Sequence, residues 1–182
     1  MIDEADFPEQ PDAQSVCFTR RAPGPIERVW SYLVESDRRA QWLAAGDMKA
    51  EIGAPFELLF HHADLSPHQA PIPERFRAIE HGHRSEHRVT RFEPPHVLGF
   101  TWSDGMDGGP SEVLIELTDE GDHVKLVLTH RQFGTPDARR SVTGGWHVHL
   151  EVLRERLNGR TPPAFWTLFG TIDAAYGQRS AR

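Results

Sequence analysis

The chain holds a single cysteine, Cys17, in 182 residues. A lone thiol forms no internal disulfide and excludes every cysteine-based zinc pattern. No apolar run approaches the roughly 20 residues that cross a bilayer. Residues 1–14 are acidic and proline-containing, where a secretory signal is basic and then apolar. A cytoplasmic protein with no membrane partner is expected. A basic surplus is also missing: 27 acidic residues stand against 20 basic ones. Without a basic stripe to displace counterions, no nucleic-acid partner is expected. The sequence contains no HExxH, no GxSxG and no phosphate-binding loop. Internal repeats and low-complexity blocks are absent as well.

What is present is periodic. One domain is expected at this length, large enough to bury about two-thirds of its unfolded surface. Residues 1–15 read as a flexible tail. Val16 to Ala22 alternates as a first strand, and Pro23-Gly24-Pro25 breaks it. Pro25 suits a first helical position, and Ile26, Val29, Trp30 and Leu33 give one face of a short helix. Ser36-Asp37 opens a second short helix carrying Ala40, Trp42 and Leu43. Strands follow: Phe56, Leu58 and Phe60 alternate, then a proline-rich connection over 63–82 holds a helical turn near Pro73-Phe76. Hairpins are expected around Glu93-His96 and around Asp119-Asp122. Phe100, Trp102, Val113, Ile115, Leu117, Val124, Leu126 and Leu128 define one apolar face; Glu112, Glu116, Lys125 and Arg131 define the other. That pattern describes an antiparallel sheet covered on one side.

From Asp137 to Leu157 the spacing turns helical. Val142, Trp146, Leu150, Leu153 and Leu157 draw one stripe. Gly144-Gly145 interrupts it, at a cost of roughly 1–2 kcal/mol against alanine. A close approach of the sheet, or of something lodged against it, accounts for such a pair. Gly145 is nearer the stripe, so added bulk is expected to hurt there and to be tolerated at Gly144. Residues 164–177 form a further apolar helical run with Phe165, Trp166, Leu168, Phe169 and Ile172. It has two homes, the outside of its own domain or a partner. If exposed it makes a contact patch, and a homodimer is expected on that ground.

These residues resemble a family. Pro25-Leu33 followed by Ala40-Leu43 resembles the opening helices of the SRPBCC (START-like, Bet v 1-like) superfamily. Val89-Trp102 resembles its central hairpin, Ser111-Val113 and Leu126-His130 its later strands, and Gly144-Trp146 with Leu150, Leu153, Leu157 and Gly159 its long helix. Together they are similar to the branch named after the activator of the heat-shock-protein-90 ATPase. The resemblance covers about residues 16 to 160. It implies an α+β helix-grip fold: a curved antiparallel sheet wrapped around a long C-terminal helix, with two short helices closing one end and a hydrophobic cavity within. Residues 161–182 then form a helical extension on the domain or a partner. No reaction is implied, since the superfamily includes lipid carriers, hormone receptors and aromatase/cyclases.

Eleven histidines are the main chemical candidates. His147 and Glu151 stand four apart but opposite Trp146, and read as a solvated pair. His61, His62, Asp64 and His68 lie mostly in the proline-rich loop and read as a surface cluster, so neither a metal nor a cofactor is expected. His62 shares the inward side with Phe60. His130 follows Leu128 in phase, and His149 lies at the stripe edge, either reaching the cavity or satisfied by a carbonyl. Trp30 and Trp42 line the pocket mouth or are plain core. The expected ligand-binding set is therefore Trp30, Trp42, Phe60, His62, Phe100, Trp102, Ile115, Leu128, His130, Trp146, His149 and Leu153. The expected function is binding of a small, mostly hydrophobic molecule between sheet and long helix. The alternatives are a cyclase or hydrolase using His62, His130 or His149, and an interaction module that modulates a chaperone ATPase.

Overall fold

The computed structural model describes residues 4–103 and 110–180. Of the two terminal segments, residues 1–3 and 181–182 lie outside the described residues. The order is β1 (Val16–Ala22), α1 (Ile26–Val34), α2 (Ser36–Arg39), β2 (Pro55–Phe60), β3 (His83–Glu93), β4 (Val97–Trp102), β5 (Ser111–Asp119), β6 (Val124–Arg131), α3 (Pro136–Leu157) and α4 (Phe165–Ser180). Short 3-10 turns occur at Glu4–Asp6, His62–Leu65 and Glu74–Ile79. The strands form one sheet in the order β1-β6-β5-β4-β3-β2, with every neighbour antiparallel. This is the α+β helix-grip arrangement.

Alternation decides the inner face of the sheet. Val113, Ile115 and Leu117 on β5 and Val124, Leu126 and Leu128 on β6 are all buried, while Glu116 and Arg131 point to solvent. His130 continues that inward row, opposite Val113 on one side and Val16 on the other. The two short helices bury Ile26, Val29, Trp30, Leu33 and Trp42 against the core. Behind them Arg39 donates to the carbonyls of Leu33, Val34 and Gly46, and burial pushes its guanidinium down to about 10. Gly46 has φ of +130°, and a Cβ there would lie 1.9 Å from the Glu57 carbonyl oxygen. Only glycine lets this strap cross β2 so closely.

Helix α3 starts where the side chain of Thr135 accepts from the Ala138 N–H at 3.1 Å, with Pro136 at the first helical position. At its other end Arg28 donates to the Leu157 carbonyl at 2.8 Å, a cation where the helix dipole is negative. Its stripe lies on the sheet, but burial is not confined to the stripe: every residue from Trp146 to Leu153 is buried. The solvated reading of His147 and Glu151 is thereby corrected. Helix α4 and the N-terminal segment cover that side. Phe7 meets the rings of His147 and Tyr176 edge-on, and Tyr176 Oη lies 3.0 Å from His147 Nδ1. Glu151 pairs with Arg154 and lies 3.7 Å from Arg20 Nε, while Arg154 reaches Asp6 at 3.1 Å. Burial raises the Glu151 carboxyl above its ordinary value, against the pull of Arg154 and Arg20.

The segment expected as a flexible tail is thus docked from Glu4 onward, with Glu9 bridging to Cys17. Helix α4 lies on its own domain. Phe165, Phe169 and Ile172 are buried there, so the exposed patch that motivated a homodimer does not form. Among the described residues no helix is long and apolar enough to cross a membrane.

The glycine pair also differs from expectation. A Cβ added at Gly144 or at Gly145 meets nothing within 4 Å, so no backbone presses on the helix at either position. Gly144→Ala and Gly145→Ala are each expected to raise stability by about 0.8–1 kcal/mol, the propensity difference alone. Higher melting temperatures for both variants check this, and a loss at either position contradicts it.

Candidate functional site

The open space beside Gly145 is a pocket. Its floor is Phe60 from β2, Ser85 from β3 and Trp102 from β4, and one wall is Val142, Gly145, Trp146 and His149 of α3. Leu43 and His62 close one side. The outer wall is built from late or irregular chain: Phe76 and Ile79 of the 74–79 turn, and Phe165, Trp166 and Phe169 of α4. Phe76 stacks on Trp166 at 5.2 Å and meets Phe169 at 5.0 Å, and Arg75 pairs with Asp173 at 2.9 Å. These contacts hold the turn to the helix. Ser66 Oγ donates to the Pro162 carbonyl at 2.7 Å, which ties the loop after β2 to the α3–α4 connection.

The cavity measures about 140 Å³ and opens to solvent on one side. A cavity of about 150 Å³ lined by apolar groups holds a benzene ring, so one six-membered ring is the scale of a fitting ligand. Among the described residues, no Asp, Glu, Lys or Arg is in the lining. A larger depression of about 650 Å³ beside β2, β3 and β4 is lined by Glu57, Glu86 and Arg88 as well as Phe56 and His87.

Five of the expected site residues meet here: Phe60, His62, Trp102, Trp146 and His149. The rings of Trp102 and Trp146 lie 5.1 Å apart, those of His62 and His149 5.5 Å apart, and those of His62 and Phe165 4.5 Å apart. The other seven lie away from the lining. Phe100, Ile115, Leu128 and Leu153 are buried core, and Trp30 packs edge-on against Phe92 at 5.4 Å. Trp42 is buried with its indole N–H on the Tyr32 carbonyl at 2.8 Å. His130 sits behind Trp146, fully buried. An inward position on a strand does not by itself distinguish packed core from cavity wall. Phe76, Ile79, Phe165, Trp166 and Phe169 were missed as lining. The signal available was the apolar run after residue 164, which the sequence shows without showing where it docks.

Hydrogen bonds fix the histidines. Trp146 Nε1–H donates to His130 Nδ1 at 2.9 Å. An indole nitrogen is only a donor, so Nδ1 is bare and the proton sits on Nε2, which donates to Ser111 Oγ at 2.7 Å. His149 Nδ1–H donates to the Trp42 carbonyl at 2.7 Å. Burial pushes His130 down to about 3. Burial, reinforced by His149, His83 and His61, pushes His62 down to about 3. Burial also pushes His149 down to about 4, against the Trp42 hydrogen bond, and His147 to about 4, with Arg20 acting in the same direction. All four are neutral at pH 7. Among the described residues no group of three or more His, Cys, Asp or Glu is placed to hold a metal ion.

The model of the family described as activator of Hsp90 ATPase homolog 1-like protein matches residues 23–158. The chain belongs to this family. The solution structure of the protein encoded by gene BPP1335 of Bordetella parapertussis is 43% identical, with 98% of this chain and 95% of that chain covered and a TM-score of 0.79. The crystal structure of CalU16 from Micromonospora echinospora is 22% identical, covering 90% and 86% of the two chains, with a TM-score of 0.64. That of MLL2253 from Mesorhizobium loti is 24% identical, covering 82% and 99%, with a TM-score of 0.60. No curated protein matches. For this Hsp90-activator-homologue-like chain the comparisons therefore carry the fold and family, and the pocket chemistry has to carry the function.

Four neutral buried histidines make stability sensitive to acid. Their folded pKa values lie below the ordinary histidine value of 6.5. As pH falls below that value the unfolded chain takes up protons that the fold excludes. The stabilisation is fully present above pH 6.5 and lost towards pH 4, at up to about 1.4 kcal/mol per pH unit for each histidine. Urea melts are expected to show declining midpoints between pH 7 and 5; a constant midpoint contradicts the assignment.

Proposed function

We propose that this protein binds a small, predominantly apolar ring compound in the pocket between the sheet, α3 and α4. The observation that carries this reading is the wall itself: seven Phe and Trp rings around one cavity, with no charged residue in the lining among the described residues. Ligand pockets have this composition, mostly apolar with a few polar groups that set orientation. Burying a ring there gains roughly 25 cal/mol for each Å² of apolar surface removed from water.

General acid–base chemistry is less well supported. A catalytic pKa works best near the operating pH, and the two candidates of the cyclase or hydrolase reading that line the pocket, His62 and His149, lie at about 3 and about 4. His130, the third candidate of the cyclase or hydrolase reading, is committed to Trp146 and Ser111. Binding needs only the cavity and one or two hydrogen bonds, and the site has those.

Gly145 provides the test. Its missing side chain opens onto the cavity, so Gly145→Leu fills the pocket while improving helix propensity. The neutral fluorophore N-phenyl-1-naphthylamine is expected to bind the unaltered protein saturably, one ring entering the cavity. Gly145→Leu is expected to weaken it by about tenfold or more, equal to about 1.4 kcal/mol, with no fall in melting temperature. Undiminished binding by a folded Gly145→Leu variant contradicts the reading.

A further inference from the structure

The polar groups of the pocket are few and incompletely used. His149 donates its Nδ1 proton to the Trp42 carbonyl. A carbonyl only accepts, so in the neutral ring Nε2 is a bare lone pair. That lone pair has no hydrogen-bond partner in the protein among the described residues, although His149 is 6% exposed and lines the cavity. His62 stands beside it, ring centroids 5.5 Å apart, and makes ring contacts but no hydrogen bond among the described residues. A neutral imidazole carries one N–H and one lone pair. Together the two rings offer an acceptor and a donor side by side at the end of an aromatic cavity.

Of the remaining polar lining, Ser85 Oγ is committed to His87 at 2.7 Å, Ser141 is exposed at the mouth, and His83 lies against Phe60 with ring centroids 6.1 Å apart. Among the described residues no carboxylate or guanidinium stands in the lining to offset a ligand charge, and an unpaired buried charge is costly.

The geometry points to a ligand that is an uncharged ring compound bearing a hydroxyl, whose O–H donates to His149 Nε2 and whose oxygen accepts from His62. This inference rests on the pocket-binding reading and adds the ligand's chemical class. A hydroxyl is the smallest group that donates and accepts through one atom. An ether oxygen cannot donate and leaves Nε2 unpaired once water is displaced. A carboxylate brings charge and only lone pairs, and sets them against the lone pair of His149. An ammonium group brings a charge that nothing in the lining balances.

Five para-substituted probes at neutral pH separate these cases by calorimetry on the unaltered protein: 4-ethylphenol, 4-ethylanisole, ethylbenzene, 4-ethylbenzoate and 4-ethylbenzylammonium. 4-Ethylphenol is expected to bind about tenfold or more tightly than 4-ethylanisole and ethylbenzene, because the analogues leave a buried acceptor unpaired. The two ions are expected not to bind measurably. His149→Phe removes the acceptor, and is expected to remove most of the preference for 4-ethylphenol over ethylbenzene. His62→Phe is expected to reduce the preference for the phenol in part. If His149→Phe does not fold, the probe series on the unaltered protein still decides. Equal affinity for the phenol, the anisole and ethylbenzene there, or tightest binding of either ion, overturns the hydroxyl assignment and leaves pocket binding intact. Failure of all three neutral probes to bind overturns both.

Discussion

The burial of α3 on every side is the constraint on which the rest of the structure depends. One side of the helix lies in the curve of the sheet, as its apolar stripe requires. The other is covered by α4 and the N-terminal segment, so Trp146 through Leu153 all lose contact with water. Polar groups on such a helix have to find partners, because leaving one unpaired costs roughly 1–3 kcal/mol. Most of the answers join α3 to a different part of the chain. Trp146 reaches His130 and through it Ser111; His149 reaches the carbonyl after α2; His147 reaches Tyr176; Glu151 reaches Arg154 and Arg20. Two of the contacts that hold the second cover in place, His147 with Tyr176 and Arg154 with Asp6, also serve polar groups of the helix.

The same double covering creates the pocket. Toward its C-terminal end α3 presents large side chains on both sides and the core closes. At Gly144-Gly145 it presents none, while the sheet below ends in Phe60 and Trp102 and the cover above is Trp166 and Phe169. The layers are held apart by their own rings and the space between stays open. The glycines are thus explained by what lies beside them, an open volume, and not by a tight crossing. His62 and His149 at its end take their neutral form from burial, and His149 takes its direction from the Trp42 carbonyl, which is what turns an apolar hole into a site with orientation.

Much of this was legible in the sequence because it is periodic. The strand at 16–22, the two hairpins and the long helix follow from alternation, turn residues and the stripe from Val142 to Leu157. What escaped is what depends on contacts distant in the chain. Asp6 meets Arg154 across nearly the whole sequence, and nothing local to His147 or Glu151 announces that cover. The same limit applies to the site. Phe60, His62, Trp102, Trp146 and His149 were placed correctly on the inward side and also line the pocket. Leu128, Ile115 and His130 were placed inward with equal reason and lie in closed core. Periodicity gives the face, and only packing against another layer separates wall from filling. Phe76 and Trp166 sit in a short turn and in a terminal helix, where no period points at a cavity.

The most direct measurement of the central claim uses the five tryptophans as reporters. Trp102, Trp146 and Trp166 line the pocket, whereas Trp30 packs against Phe92 away from it. In nitrogen–proton correlation spectra, titration with a small neutral aromatic compound should move the indole signals of the first three and leave that of Trp30 in place. A shift at Trp30 with those three unmoved, or no indole shift at saturating ligand, would contradict a binding pocket between the sheet, α3 and α4.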